Sequence, residues 1–249
     1  MALGDWQMPL AVLGMVSLLL LMAGLARRHQ EYQALQRERL RRLVAGIESL
    51  EVALESLKGI PLASELRNAL RGDLHRAWLQ VQAIHRNYPG LAQRIDEAAM
   101  RLQGDGGVTQ GRVPAVEDQA ACNRLLDALD RVSAHLGNGL GEVSRSKGMI
   151  LVAWRREIQE RRAEVLARFH VVAARQAQQA GDNGEAVAHL QQLLEELARR
   201  GPDTDFVREL YAEAERLYRY AVQGRSLGEA VAGEGEETLG QRSNRSSAA

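Results

Sequence analysis

The feature that most constrains this chain is an uncharged apolar run close to its first residue. Residues 8–26 read MPLAVLGMVSLLLLMAGLA, a stretch of 19 positions without an acidic or basic side chain. A helix of this length, rising ~1.5 Å per residue, spans about 28 Å, close to the roughly 30 Å hydrocarbon core of a bilayer. No other uncharged run in the sequence approaches it. The run therefore predicts a single transmembrane helix, preceded by a short segment at residues 1–7.

The charges beside this run predict an uncleaved anchor and its orientation. A secretory signal begins with basic residues, whereas residues 1–7 carry only Asp5. Six arginines follow the run: Arg27, Arg28, Arg37, Arg39, Arg41 and Arg42. Because basic residues stay on the cytoplasmic side, we expect the N-terminus outside and the C-terminal region in the cytoplasm, at a bacterial inner membrane. The same arginines are candidate contacts for anionic lipid head groups.

The remainder of the chain is predicted to be helical. Apolar residues recur at spacings of three and four, and alternation with period two is absent. Residues 104–113 (GDGGVTQGRV) are rich in glycine, which is typical of a linker. We expect a juxtamembrane helix and helical hairpin at 27–103, a helical domain at 114–223, and a disordered tail at 224–249. The predicted fold class is all-α, with one transmembrane helix followed by a hairpin and bundle region.

An apolar seam follows the arginines. Its six members are spaced 3-4-3-4-3 along the chain: Leu40, Leu43, Ile47, Leu50, Leu54 and Leu57. This is the spacing of the a and d positions of a coiled coil, sustained for about two and a half heptads. One interpretation is a parallel coiled coil that makes the protein a homodimer. The other is a long helix that packs on its own neighbours.

Patterns that carry catalysis or bind metals are absent from the sequence. The six histidines are scattered, and none forms an H-x-x-x-H pair or a Cys/His metal spacing. The single cysteine, Cys122, lies on an apolar helical stripe and is predicted to be a small core residue. There is no G-x-S-x-G, Walker or dinucleotide-binding motif. We therefore predict that the protein is not an enzyme and uses no cofactor, metal or small-molecule substrate.

The distribution of charge indicates which partners fit. The chain carries 32 basic and 32 acidic residues, so its formal net charge is zero. A dedicated nucleic-acid binder carries a basic excess, so nucleic acid is not an expected partner. Residues 27–45 hold six arginines against two glutamates, whereas residues 181–223 hold five arginines against nine acidic residues. The acidic C-terminal part favours a protein partner with a basic surface.

Residues 165–202 are predicted to form helix, tight turn and helix, with the turn in the sequence AGDNGEA. Small residues at Ala174, Gly181 and Ala186 are followed by the bulky Leu190. This pattern resembles a single tetratricopeptide repeat, although His170 stands where that family prefers a large aromatic residue. The resemblance implies that the two helices pack closely in antiparallel orientation. It also implies docking of short peptides or helices of partner proteins, but it transfers no individual binding residue.

Together these features predict a membrane-anchored helical scaffold or adaptor that recruits a protein partner at the inner face of a bacterial cytoplasmic membrane. Two alternatives stay open. One is a helical domain that faces the periplasm on the same anchor and serves envelope assembly or chaperoning. The other is a signalling or regulatory dimer that transmits a change along the helix at 27–57.

Overall fold

The structure, a computed structural model, describes residues 7–104, 111–138 and 148–228. Between residues 7 and 26 it describes the side chains at positions 15, 18 and 21–25 only. The described ranges contain helices and connecting turns but no strand, which confirms the predicted all-α class.

Seven helices form in the described ranges: α1 Gln7–Ser56, α2 Ser64–Ile84, α3 Leu91–Gln103, α4 Gln119–Asn138, α5 Gly148–Gln179, α6 Asn183–Arg200 and α7 Asp205–Val222. Their ends follow local chemistry. Pro61 lies between α1 and α2, where its missing N–H and fixed φ suit a helix boundary. The side chains of Asp182 and Thr204 accept hydrogen bonds from the backbone N–H groups of Glu185 and Val207, and so cap α6 and α7.

Helix α1 is continuous over 50 residues, a length of about 75 Å. It joins the apolar run, the arginines and the apolar seam as far as Leu54 without a break. Among the side chains that the structure describes, no helix offers an apolar stretch long enough to cross a bilayer. The predicted span at 8–26 lies largely outside those described side chains, as do residues 1–6.

The main core forms where α2 and α4 pack on the C-terminal half of α1 and the first half of α5 packs on α4. Its fully buried members include Ala53, Leu57, Leu70, Trp78 and Leu129. Burying one such leucine contributes about 1.5–3 kcal/mol. Residues before and after the glycine-rich linker predicted at 104–113 belong to this one core. Residues 105–110 of the linker lie outside the described ranges. The linker therefore does not separate two independent cores.

Two glutamates of α5 hold the connecting segments against this core. The Ala63 N–H donates to Glu157 Oε1 at 2.6 Å, and the Val113 N–H donates to Glu164 Oε1 at 2.8 Å. Glu164 is fully buried and also accepts a charge-assisted bond from Arg161 at 2.7 Å. Burial raises the pKa of the Glu157 carboxyl. Each carboxylate satisfies a backbone donor that would otherwise be costly to bury.

The second half of α5 packs with α6 and α7 around two smaller clusters. One contains Ala174, Ala177, Ala186, Leu190, Leu217, Ala221 and Leu227; the other contains Ala163, Ala167, Leu193, Leu197, Val207, Leu210 and Ala214. The many alanines allow the helix axes to approach closely. Residues 224–228, which the sequence places in the tail, pack onto α5, since the Gln178 amide bonds the Leu227 N–H and the Arg225 carbonyl. The remaining predicted tail, residues 229–249, lies outside the description.

Candidate interaction surfaces

The N-terminal half of α1 presents apolar side chains that nothing in the described chain covers. Five of them are each more than half exposed: Met15, Leu18, Leu21, Met22 and Leu25. Every described side chain of α1 ahead of residue 36 is exposed, including Tyr32 and Leu35. A cluster of large apolar side chains in water is unfavourable and marks a surface that another apolar phase or partner covers.

The six arginines that the sequence analysis proposes as lipid contacts follow directly after the apolar run. Arg27, Arg28, Arg37, Arg39, Arg41 and Arg42 are all exposed. Arg27 pairs with Glu31 at 3.1 Å and Arg42 with Glu38 at 2.8 Å, each one turn away on the same helix. Exposed pairs of this kind are weak, so these guanidinium groups can exchange their carboxylates for other anions. The structure thus places a cationic zone next to the apolar one.

The apolar seam lies against the chain's own helices. Ile47, Leu50 and Leu57 are buried in the main core, and Leu40, Leu43 and Leu54 pack against it half-buried. This arrangement corresponds to the second interpretation of the sequence, a long helix packed on its neighbours. A dimer through the buried members would first have to displace α2 and α4.

The four residues of the tetratricopeptide-like pattern come together at one end of the α5–α6 hairpin. Ala174, Ala186 and Leu190 are fully buried in a single cluster. Gly181 lies in the turn with φ +85°, a backbone conformation that favours glycine. All four therefore shape the hairpin.

A histidine pair inside the same hairpin was not predicted. His170 of α5 and His189 of α6 approach with their Nδ1 atoms 3.3 Å apart, and both rings lie edge-on to Phe169. Burial first, and the neighbouring His189 second, lower the pKa of His170 to about 4. The sequence predicts that the two helices of this hairpin pack together, but His170 and His189 stand 11 and 8 positions from Gly181, so their pairing does not follow from the turn alone.

A second unpredicted pair joins α2 to α4. His135 Nε2 donates to Asp73 Oδ2 at 3.0 Å, and Arg76 lies 3.4 Å from the other carboxylate oxygen. The side chain of Asp73 is only 2% exposed. These residues border a cavity of about 370 Å³ between α1, α2 and α4. Asp73 and His135 are 62 positions apart, so no spacing rule would have brought them together.

The single cysteine and the potential metal ligands are the remaining reactive side chains to place. Within 7–104, 111–138 and 148–228, no three metal-ligating side chains come together. Cys122 is buried on the predicted core stripe, and burial raises the pKa of its thiol. A buried, protonated thiol is a poor nucleophile.

Comparison with known proteins gives no relative. No family model, no curated protein and no solved structure matches this chain. A function must therefore follow from the exposed half of α1, the acidic C-terminal helices and the cavity.

Proposed function

We propose that this protein is a membrane-anchored helical scaffold or adaptor. Residues 8–26 would lie in the bilayer, and the helices from α2 onward would recruit a protein partner at the inner face of a bacterial cytoplasmic membrane. The observation that carries the proposal is the row of more than half-exposed apolar side chains at the start of α1, from Met15 to Leu25. These side chains belong to the 19-residue uncharged run.

Transfer of this row of side chains from water into an apolar environment is energetically favourable. Moving one large apolar side chain out of water contributes about 1.5–3 kcal/mol, so five of them contribute on the order of 10 kcal/mol. The arginines from Arg27 to Arg42 begin immediately after the run. Each one near an anionic surface adds about 1 kcal/mol. Apolar insertion and charge attraction therefore act on adjacent parts of the same helix.

Reporter fusions at the C-terminus test the orientation. We expect a fluorescent protein to fold and emit there, and alkaline phosphatase to be inactive, because the positive-inside bias holds the arginines in the cytoplasm. An active phosphatase would instead support the alternative that the helical region faces the periplasm for envelope assembly or chaperoning. Replacing Arg27 and Arg28 with glutamate should increase the fraction of chains with the C-terminus outside the cytoplasm. Arg199→Glu and Arg200→Glu on α6 should leave that fraction unchanged.

The partner surface that we propose is the acidic region of α6 and α7. Residues 181–223 hold nine acidic residues against five arginines. Glu185 and Glu209 are exposed there. The hairpin of α5 and α6, with α7 packed against it, resembles the helical hairpins on which tetratricopeptide proteins bind a peptide or a helix. A partner with a basic surface complements this region, because opposite charge accelerates and orients association.

Capture from detergent-solubilised membranes tests this surface. A partner retained by the wild-type chain should be lost from the double variant Glu185→Gln/Glu209→Gln. Retention by the wild type should fall as salt rises, so the difference between the two proteins should shrink. Asp96→Asn, an exposed acid on α3, is the matched control and should retain the partner. Equal retention by all three proteins would remove the basis for an acidic docking surface.

We propose a homodimer as a second candidate, at a different part of α1 from the buried seam. The seam residues Ile47 and Leu50 are buried in the core, but Tyr32 and Leu35 lie exposed one helical turn apart farther up α1. A signalling or regulatory dimer would pair through this upper part of the 27–57 helix. Cysteine crosslinking at Leu35→Cys, with Val52→Cys as an exposed control on the same helix, should then give a disulfide dimer only at position 35.

A further inference from the structure

The cavity between α1, α2 and α4 has the size and lining of a ligand site. Its volume is about 370 Å³, within the roughly 300–1,000 Å³ typical of small-molecule pockets. Apolar side chains from all three helices line it, including Leu43, Ile47, Leu74 and Ala134. Ile47 and Leu74 belong to the buried core, so this part of the wall is set by packing and is rigid.

Basic groups from the same three helices surround the cavity. Arg42 comes from α1, Arg76 from α2, and Arg131 with His135 from α4. The lining contains one acidic residue, Asp73, whose carboxylate contacts His135 at 3.0 Å and Arg76 at 3.4 Å. Three guanidinium groups against one carboxylate leave the lining with a net positive charge; the exposed Glu38, which pairs with Arg42 at 2.8 Å, lies outside the lining. Guanidinium groups are the preferred partners of carboxylate and phosphate groups.

Gly46 opens one wall of the cavity. It lies in the middle of α1 and lines the cavity, and a Cβ added there would meet no atom within 4 Å. A glycine inside a helix costs about 0.5–1 kcal/mol relative to alanine. No neighbouring atom in the chain requires that cost. The missing side chain instead leaves space beside Leu43 and Ile47.

We propose that this cavity binds an anionic amphiphile. A carboxylate or phosphate head group would contact Arg42, Arg76 and Arg131, while an acyl chain would lie along the apolar wall past Gly46. The site lies about 24 Å along α1 from the end of the apolar run, so it belongs to the helical bundle and does not depend on the anchor. The proposal therefore goes beyond the scaffold function and stands or fails separately from it.

Photolabelling of the full chain tests the proposal directly. The probe is a diazirine-bearing dodecanoate, added to the protein in a neutral detergent, with the labelled peptides mapped by mass spectrometry. We expect labels at residues 42–50, 73–80 or 131–135, and we expect dodecanoate and dodecyl phosphate to compete. Dodecanol lacks the charge and inorganic phosphate lacks the chain, so both should compete at least about tenfold less well.

Matched variants test the contributions of the apolar wall and of the basic groups to binding separately. Gly46→Leu should fill the cavity and reduce labelling about tenfold, and Gly46→Ala should reduce it less. Val52→Leu, at an exposed position of the same helix, should have no effect. Arg42→Gln and Arg131→Gln should weaken competition by dodecanoate, whereas Arg39→Gln and Arg124→Gln, exposed on the same helices, should not.

Several results would overturn the proposal. Labels confined to residues 8–26, or equal competition by dodecanol, would mean simple partitioning of the acyl chain. Displacement by inorganic phosphate would mean a small-anion site without a chain pocket. If Gly46→Leu fails to fold, the arginine variants decide, and unchanged competition in both of them refutes the proposal.

Discussion

Acidification should weaken the α5–α6 hairpin through the buried His170. The His170 side chain is 4% exposed, and its pKa is lowered from 6.5 to about 4. Burial is the main cause, and the nearby His189 adds to it, whereas Glu196 opposes it. Glu196 is itself paired with Arg199 at 2.7 Å and Arg200 at 3.6 Å. The folded hairpin therefore holds His170 neutral, while the unfolded chain protonates it near its ordinary pKa.

The sign and size follow from this difference in pKa. Between about pH 6.5 and pH 4 the unfolded state binds more protons than the folded state, so the free energy of unfolding falls as the pH falls. Each unit of difference corresponds to about 1.4 kcal/mol, so the loss approaches roughly 3 kcal/mol near pH 4. The full contribution of the neutral ring is present above pH 6.5.

Urea unfolding followed by circular dichroism at pH 7 and pH 4 measures this loss. Other groups titrate in the same range, so the informative quantity is the difference between wild type and His170→Phe. Phenylalanine suits a site beside Phe169 and cannot be protonated. Wild type should therefore lose about 3 kcal/mol more than His170→Phe. His29→Phe, at an exposed position of α1, should keep the wild-type pH dependence. Parallel losses in wild type and His170→Phe would refute the reasoning.

Three further predictions concern the stability of the fold and are checked by the same unfolding measurement. Trp78→Ala should cost about 3–5 kcal/mol because the ring is fully buried, whereas Leu79→Ala, at a 40% exposed position, should cost much less. Glu164→Ala should cost about 3 kcal/mol, since it leaves the buried Val113 N–H and a nearby guanidinium without their acceptor; a cost below 1 kcal/mol would contradict this role. Gly181→Ala should cost about 1–2 kcal/mol because its φ is +85°, and a stabilised variant would show that the turn adopts another conformation.

Helical periodicity in the sequence identified buried faces well, but it did not identify what covers them. The seam from Leu40 to Leu57 has the same spacing whether it meets a second copy or its own neighbours. In the structure it packs on α2 and α4. The choice depends on contacts distant in sequence, which a local pattern does not contain. The glycine-rich stretch at 104–113 likewise predicted a break but not the single core on both sides of it.

The polar pairs show the same limit. Asp73 and His135 meet because α2 and α4 both pack on α1, and neither residue has a local signature. His170 and His189 lie on the two helices of one predicted hairpin, so contact between these helices could be expected from the sequence, but not this particular pair. Gly46 and Arg131 line the same cavity, and they can be recognised as neighbours only from the arrangement of α1, α2 and α4. Local rules therefore reach a hairpin, whereas a site shared by three helices requires the tertiary structure.

The depth of α1 in a lipid bilayer tests the central claim most directly. Cys122 is the single cysteine of the chain, so Cys122→Ala provides a background for spin labels at Leu18→Cys, Leu25→Cys and Leu35→Cys. In liposomes, we expect the label at position 18 to be accessible to oxygen and protected from a water-soluble nickel complex. The label at position 35, beyond the first arginines, should show the opposite. Equal exposure of all three labels to the nickel complex would contradict the proposed membrane anchor.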